Sequence, residues 1–186
     1  MSQPMRFEGV NHVALVCRDM AETVDFYTKM LEMPLVKTLD LPGGRGQHFF
    51  FDCGGGGTIA FFWFPNAPAA APGVASMHPD HLKVGSQTAH ASMNHLAISI
   101  PLGKFDEYVE RLRSKGLSVR VINHGEGAES ATDHVTKSTW VRSMYFDDPS
   151  GIHMEFAAFT RAFTPKDVAH DPVNAKGERV ALAVPA

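Results

Sequence analysis

The sequence predicts an α+β fold built from two tandem β-α-β-β-β modules, which together form a U-shaped mixed sheet. Three observations support this prediction. A short strand-like segment that begins with Asn-His occurs twice, an amphipathic helical segment follows each copy, and each half of the chain closes with a β-hairpin. The chain has 186 residues, which is enough for two small modules that share one core.

The repeated strands are the clearest part of the pattern. Residues 11–16 read Asn-His-Val-Ala-Leu-Val, and residues 94–99 read Asn-His-Leu-Ala-Ile-Ser. Both segments are rich in aliphatic and β-branched side chains, which favour strands. The repeat therefore places two histidines, His12 and His95, at equivalent points of two equivalent strands.

A helix is predicted after each of these strands. Asp19 and Glu22 resemble a capping box, and apolar residues up to Leu31 then recur on one helical face. The second helix is expected over residues 104–112, with Gly116 placed to end it. Each helix leads to a short aliphatic segment, residues 35–36 or 117–119, which is expected to form the next strand.

Two hairpins complete the modules. The first pairs residues 48–52 with 58–64 across the glycines at 54–57, and the second pairs 143–147 with 152–159 across Asp-Pro-Ser-Gly. The glycine run is not a phosphate-binding loop, because no Lys-Ser/Thr follows it and the next element is a strand.

This pattern divides the chain into four parts. The modules are predicted at residues 7–64 and 92–160, joined by a Pro/Ala-rich linker at 65–91 and followed by a tail at 161–186. The linker contains His81 and His90, which are weaker site candidates because a segment of this kind serves either as a lid or as a plain surface loop.

Composition excludes several classes of protein. The net charge of -3 gives no electrostatic reason to expect a nucleic acid or an anionic membrane as partner. The chain has no long apolar run and no apolar signal-peptide core at its start. Cys17 and Cys53 are most simply free thiols, which leads us to expect a cytoplasmic protein. The expected partner is a small-molecule substrate.

Three residues carry the predicted chemistry. His12 and His95 open equivalent strands, and Glu155 lies in the last core strand among apolar neighbours. A buried carboxylate is costly unless it is paired or bound to a metal, and two imidazoles with one carboxylate suit a divalent transition metal. The alternative is that the histidines are strand caps and Glu155 is a hydrogen-bonded core residue.

With these features the chain resembles the vicinal oxygen chelate superfamily, over about residues 7–160. That superfamily includes glyoxalase I, methylmalonyl-CoA epimerase, fosfomycin-resistance thiol transferases, bleomycin-binding proteins and extradiol dioxygenases. The resemblance implies that the paired modules surround one metal held by His12, His95 and Glu155. It implies Fe(II) first, with Mn, Zn or Ni as alternatives.

The fourth ligand position separates the subfamilies. Aligning Gly57 with Gly151 places Phe61 opposite Glu155, and phenylalanine cannot coordinate a metal. The resulting three-ligand pattern resembles extradiol dioxygenases and fosfomycin transferases. The segment with Tyr145 ten residues before Glu155 and Asp-Pro-x-Gly between them also resembles the extradiol signature. The histidine of that signature is not matched, since His134 lies too far upstream.

Strand alternation extends the predicted site. Phe61 and Trp63 share one face of their strand and are expected to form an apolar wall for the substrate, unless they belong to the core. The repeat also aligns His48 and Tyr145 with the same cleft, as candidates for proton transfer. Arg142 is expected either to pair with an anionic substrate or to face solvent.

These interpretations together predict a metal-dependent, extradiol-dioxygenase-like oxidoreductase that acts on a small apolar or aromatic substrate with vicinal oxygens. The alternatives are a glyoxalase- or epimerase-type isomerase or lyase, a fosfomycin-type thiol transferase, and a non-catalytic binding protein of the bleomycin-resistance type. We expect a homodimer, because exposed sheet edges and the tail need covering.

Overall fold

The computed structural model describes residues 5–78 and 88–181, which form eight strands and two main helices. In chain order these are β1 (His12–Val16), α1 (Met20–Asp25), β2 (Leu35–Leu41), β3 (Gly46–Asp52), β4 (Thr58–Trp63), β5 (Leu96–Ser99), α2 (Phe105–Ser114), β6 (Arg120–His124), β7 (Val141–Asp147) and β8 (His153–Phe159).

The strands form two four-stranded sheets with the same order. Sheet 1 runs β1-β4-β3-β2 and sheet 2 runs β5-β8-β7-β6. In each sheet the first strand pairs in parallel with the last strand of its module, and the remaining pairs are antiparallel. The predicted α+β class with tandem β-α-β-β-β modules is confirmed.

Both helices follow the signals in the sequence. The Asp19 side chain accepts a hydrogen bond from the Glu22 backbone N–H at 3.0 Å and so caps α1, which continues as a π-helical turn over Phe26–Met30. After α2, Gly116 adopts φ 89°, a left-handed conformation that glycine reaches without strain.

Each sheet buries one face against the helices. We call this the helix face: it holds Phe51, Ile59 and Phe61 in sheet 1, and Met144, Phe146, Met154 and Phe156 in sheet 2. The fully buried ring of Tyr27 in α1's continuation packs 4.9 Å from the ring of Phe61. One contiguous core therefore links the two modules.

Polar contacts also join the modules. The Tyr27 hydroxyl donates to Asp148 Oδ2 at 3.3 Å, at the turn between β7 and β8. Lys115, which follows α2, donates from Nζ to the carbonyl oxygens of Lys29 and Met30 and pairs with Glu32. The modules of one chain thus contact each other through their helices and helix faces.

Three sequence expectations need comment. The second strand of the second module lies at Arg120–His124 instead of residues 117–119. His81 falls outside the described residues. The described part of the tail has one short 3-10 turn, Pro165–Asp167, held by an ion pair between Arg161 and Asp167.

Among the described residues, no helix is long and apolar enough to cross a membrane.

Candidate metal centre

The faces opposite the helix faces carry the predicted site residues. We call them the site faces. The site face of sheet 1 holds His12, His48, Phe50, Ala60 and Phe62, and that of sheet 2 holds His95, Arg120, His124, Ser143, Tyr145, His153 and Glu155.

His95 and Glu155 come together on sheet 2. Nε2 of His95 lies 2.9 Å from Oε2 of Glu155, and the Glu155 side chain is buried. Burial acts to raise the pKa of Glu155, but His95, Ser143 and His124 together outweigh it, so that pKa lies below its ordinary value. The carboxylate is therefore kept ionised in a buried position.

An asparagine orients each of the two repeated histidines. His12 Nδ1 lies 2.8 Å from Asn11 Oδ1, and His95 Nδ1 lies 2.8 Å from Asn94 Oδ1. This geometry assigns the Nδ1 proton to a bond with the amide oxygen, so Nε2 is the ring nitrogen that each histidine presents to another partner. Fixing of the second ring nitrogen in this way is typical of histidines that bind metals.

The donor set of sheet 2 fits a metal ion. An Nε2 lone pair and an ionised carboxylate are both acceptors, so a separation of 2.9 Å requires a proton or a cation beside them. Metal–ligand bonds of about 2.1 Å at a right angle place two donor atoms about 3.0 Å apart.

His12 does not complete this set within one chain. It is exposed at the start of β1, on the other sheet. Across residues 5–78 and 88–181, no three His, Cys, Asp or Glu side chains come close enough to hold one metal. Within one chain the modules meet through their helix faces, and His12 and His95 lie on site faces; a site that combines His12 with the His95–Glu155 pair stays a prediction.

Tyr145 lies beside the pair, as predicted. Its ring centroid is 5.8 Å from that of His95, and it stands directly across from Glu155 in the β7–β8 register. Burial raises the pKa of Tyr145 to about 12, and the neighbouring Glu155 carboxylate adds to this effect. The hydroxyl is therefore protonated at neutral pH.

His124 orients that hydroxyl. His124 Nδ1 lies 3.1 Å from the carbonyl oxygen of Ser130, and Nε2 lies 3.0 Å from the Tyr145 hydroxyl. Since a carbonyl only accepts, Nδ1 carries the proton, and the tyrosine hydroxyl donates to Nε2.

Two further side chains support this arrangement. Ser143 is fully buried on the same face, and its hydroxyl lies near Glu155. The His153 ring stacks on the Tyr145 ring at 5.4 Å, and its Nδ1 lies 2.7 Å from Asp147 Oδ1. Tyr145 is thus held on one side by a stacked ring and at its hydroxyl by a hydrogen bond.

His48 lies on the site face of sheet 1, close to His12. Its ring stacks on Phe62 at 3.6 Å, and Phe62 stacks on Phe64 at 5.3 Å. Burial lowers the pKa of His48, and the charge of His12 lowers it further. His48 is thus a neutral imidazole near pH 7, and its Nε2 is buried without a hydrogen-bond partner among the described residues.

The predicted substrate wall of Phe61 and Trp63 is on the wrong face. Phe61 is 0% exposed and packs on Tyr27, and Trp63 packs against the same core. The aromatic side chains that do line the site face are Phe50 and Phe62.

The error comes from a one-residue shift in the repeat alignment. Asp52 pairs with Thr58 as Asp147 pairs with His153, so Gly57 corresponds to Ile152 and not to Gly151. The counterpart of Glu155 is therefore Ala60. A shift of one residue moves every side chain of a strand to the opposite face.

Arg142 and His90 do not belong to the site. Arg142 lies on the helix face, where its guanidinium binds both carboxylate oxygens of Asp106. His90 is exposed in the segment between the modules.

Besides Ser143 and His153, sequence reasoning missed two β6 residues on the site face of sheet 2, Arg120 and His124. Both lie in β6, at alternate positions that face the same side as Tyr145. Placing that strand at 117–119 removed them from consideration, although alternation along 120–124 is the signal that identifies them.

Comparisons with known proteins agree with this architecture. The model of the Glyoxalase/Bleomycin resistance protein/Dioxygenase superfamily matches residues 9–156. A protein provisionally named ring-cleaving dioxygenase MhqE, from Bacillus subtilis (strain 168), is 32% identical over 118 residues, which are 62% of this chain and 34% of that protein. The match thus spans about a third of the length of the curated relative.

Two solved structures share the fold. A glyoxalase family protein from Enterococcus faecalis matches with a TM-score of 0.57 and 18% identity, over 82% of this chain and 99% of that one. The fosfomycin resistance protein FosX from Listeria monocytogenes matches with a TM-score of 0.51 and 19% identity, over 83% and 96%. With the family model matching most of its length, the chain belongs to the glyoxalase/bleomycin resistance protein/dioxygenase superfamily.

Proposed function

We propose that the protein is a metal-dependent, dioxygenase-like enzyme that acts on a small aromatic substrate with two vicinal oxygens. The observation that carries this proposal is the buried His95–Glu155 pair with the protonated Tyr145 hydroxyl beside it. The provisional name of the B. subtilis relative supports the reaction class.

In this proposal His95, Glu155 and one copy of His12 hold the metal, with Fe(II) as the ion. When bound, the ion supplies a Lewis acid that lowers the pKa of the substrate hydroxyls and open positions for other ligands. The absence of a carboxylate at Ala60 leaves three protein ligands, which favours a dioxygenase over a four-ligand isomerase.

The protein residues handle orientation and protons. Tyr145, with its pKa near 12, acts as a hydrogen-bond donor or general acid and not as a base. His48, neutral near pH 7 and with a buried Nε2, is the proposed base that removes a substrate proton. Phe50 and Phe62 provide the apolar surface on which an aromatic ring can stack.

A second copy of the chain completes the site. This proposal is supported by the contact between the modules of one chain through Tyr27 and the helix faces, and by the absence of any cluster of three candidate ligands among the described residues. The site face of sheet 1 also exposes two apolar residues, Val16 on β1 and Leu39 on β2. A homodimer that lays the site face of sheet 1 on that of sheet 2 from the partner would cover these residues and bring the three ligands together.

Mixing two inactive variants tests this arrangement. His12→Ala and Glu155→Ala chains, carrying different tags, are combined and the mixed dimer is purified. A site shared between chains leaves one intact His12–His95–Glu155 set in each mixed dimer, which then binds one metal ion. A mixed dimer without metal, or a wild-type chain that sediments as a monomer, contradicts the proposal.

Oxygen uptake tests the reaction. The ferrous protein, prepared anaerobically, should consume oxygen when catechol or a substituted catechol is added, and the ring-opened product should absorb in the near ultraviolet. If metal binds but no vicinal diol drives oxygen uptake, the reaction class is wrong and an isomerase takes its place. If neither a metal nor a diol binds, the protein is instead a non-catalytic binding protein.

A further inference from the structure

Arg120 is a cation on the site face of sheet 2, and none of the described acidic side chains pairs with it. It stands directly opposite Tyr145 in the β6–β7 register, and its guanidinium carbon lies 5.6 Å from the centre of the Tyr145 ring. Among the described residues Arg120 forms no ion pair and no hydrogen bond.

The other arginine of this sheet shows what a structural arginine looks like here. Arg142, one strand away, lies on the helix face. Its two terminal guanidinium nitrogens bind Asp106, and its Nε donates to Asn123. All three nitrogens of that guanidinium are therefore hydrogen-bonded within the protein. Arg120 is also half-buried, yet it contributes no comparable bond, so its five N–H donors remain available to a ligand.

The carboxylates on the same face do not neutralise Arg120. Glu155 is paired with His95, and Asp147 is bound to His153. The ring of Tyr145 lies between Arg120 and the pair, and the charge of Arg120 acts to lower the pKa of that tyrosine. The cation is therefore placed one side chain away from the proposed metal ligands.

We propose that Arg120 binds an anionic substituent of the substrate, so that the enzyme selects aromatic vicinal diols that carry a carboxylate over neutral ones. The position of Arg120 suits this role, because Tyr145 alone separates it from Glu155 in the strand register of this face. A guanidinium matches the planar, two-oxygen geometry of a carboxylate. This inference rests on the proposed function for the diol, but the anion site itself needs only Arg120 and its neighbours.

The first experiment isolates the anion site. Benzoate and benzyl alcohol are titrated into the metal-free protein and binding is followed by NMR. We expect benzoate to bind more tightly than benzyl alcohol. Arg120→Gln should weaken benzoate binding about 10- to 100-fold, as expected for loss of one charge-assisted hydrogen-bonded pair, and Arg120→Lys should retain part of it.

A matched control removes the same charge elsewhere. Arg18→Gln, which removes an exposed arginine that pairs with Glu22 at α1, should leave benzoate binding within about twofold of wild type. Equal binding of benzoate and benzyl alcohol by the wild type, or an unchanged benzoate affinity in Arg120→Gln, overturns the inference.

The second experiment separates this inference from the proposed function. The Zn²⁺-loaded protein is titrated with 3,4-dihydroxybenzoate and with catechol. Arg120→Gln should weaken only the former, and the two affinities should become similar. Failure of both diols to bind, with benzoate binding still dependent on Arg120, rejects the proposed function and keeps the anion site. Equal weakening of both diols shows that Arg120 is only structural.

Discussion

The two sheets repeat one strand order but present different chemistry on their site faces. Where sheet 2 has Glu155 and Tyr145, sheet 1 has Ala60 and Phe50 at the equivalent register positions. Only the asparagine-oriented histidine is common to both. The comparison teaches that the repeat preserves the scaffold and one ligand per module, while the ionised and proton-bearing groups are confined to the second module.

Replacing Glu155 by alanine, the residue at the equivalent position of sheet 1, should have the largest effect of the changes considered, on metal binding. Glu155→Ala removes the buried carboxylate from the donor set, so stoichiometric metal binding should be lost. Metal content by mass spectrometry after anaerobic loading measures this. Glu107→Ala, which removes an exposed carboxylate from α2, is the control and should keep one ion per chain; full metal content in Glu155→Ala would reject the assignment.

Converting Tyr145 to its sheet 1 counterpart should affect turnover only. Tyr145→Phe removes the hydroxyl that His124 orients, and general acid groups contribute on the order of 10²–10⁴-fold. Oxygen uptake should fall by about that factor with metal content unchanged. Tyr108→Phe, in α2 and away from the site face, should be nearly wild type. A Tyr145→Phe enzyme at the wild-type rate rules out the role.

Two neighbouring phenylalanines test which face of β4 belongs to the site. Phe61→Ala opens a cavity against Tyr27 and should cost about 3–5 kcal/mol of unfolding free energy. Phe62→Ala, on the half-exposed site face, should cost far less and weaken binding of the aromatic substrate instead. Urea unfolding and ligand titration of both variants check this, and the reverse pattern would restore the original assignment of the wall.

The smallest effect concerns the contact between the modules. Burial raises the pKa of Asp148 from 3.8 to about 6. Because the folded-state pKa lies above the unfolded one, this group stabilises the fold below about pH 4 and loses that contribution as pH rises through 6, by about 3 kcal/mol.

Replacing Asp148 isolates this dependence. Asp148→Asn keeps an acceptor oxygen for the turn amides of Ser150 and Ile152, which bond Oδ1 in the wild type. The difference in unfolding free energy between wild type and variant should therefore change between pH 4 and pH 7 in favour of the variant. A difference that does not vary with pH would show that Asp148 keeps an ordinary pKa.

Much of the architecture could be predicted because each signal was local. The Asn-His repeat, the Asp19 cap, Gly116 and the two hairpins each act within a few residues, and the structure has them where the sequence indicates. Adjacency of His95, Tyr145 and Glu155 followed from the same repeat.

The parts that failed depend on register and on contacts between distant segments. One residue of shift at Gly57 moved the predicted wall to the wrong face, since alternation converts a small alignment error into a complete reversal. Whether His12 meets His95 depends on how the modules pack, which the helix faces decide through Tyr27. No pattern within either repeat carries that information.

The burial of Tyr27 between both sheets means that neither module has a complete core of its own. Its ring contacts Phe51 and Phe61 of the first module, and its hydroxyl reaches Asp148 and Met154 of the second. A single module would leave this side chain and its surroundings in water. Either half of the chain, expressed alone, is therefore expected to associate with a copy of itself or to stay unfolded, because its helix face would otherwise be exposed to water.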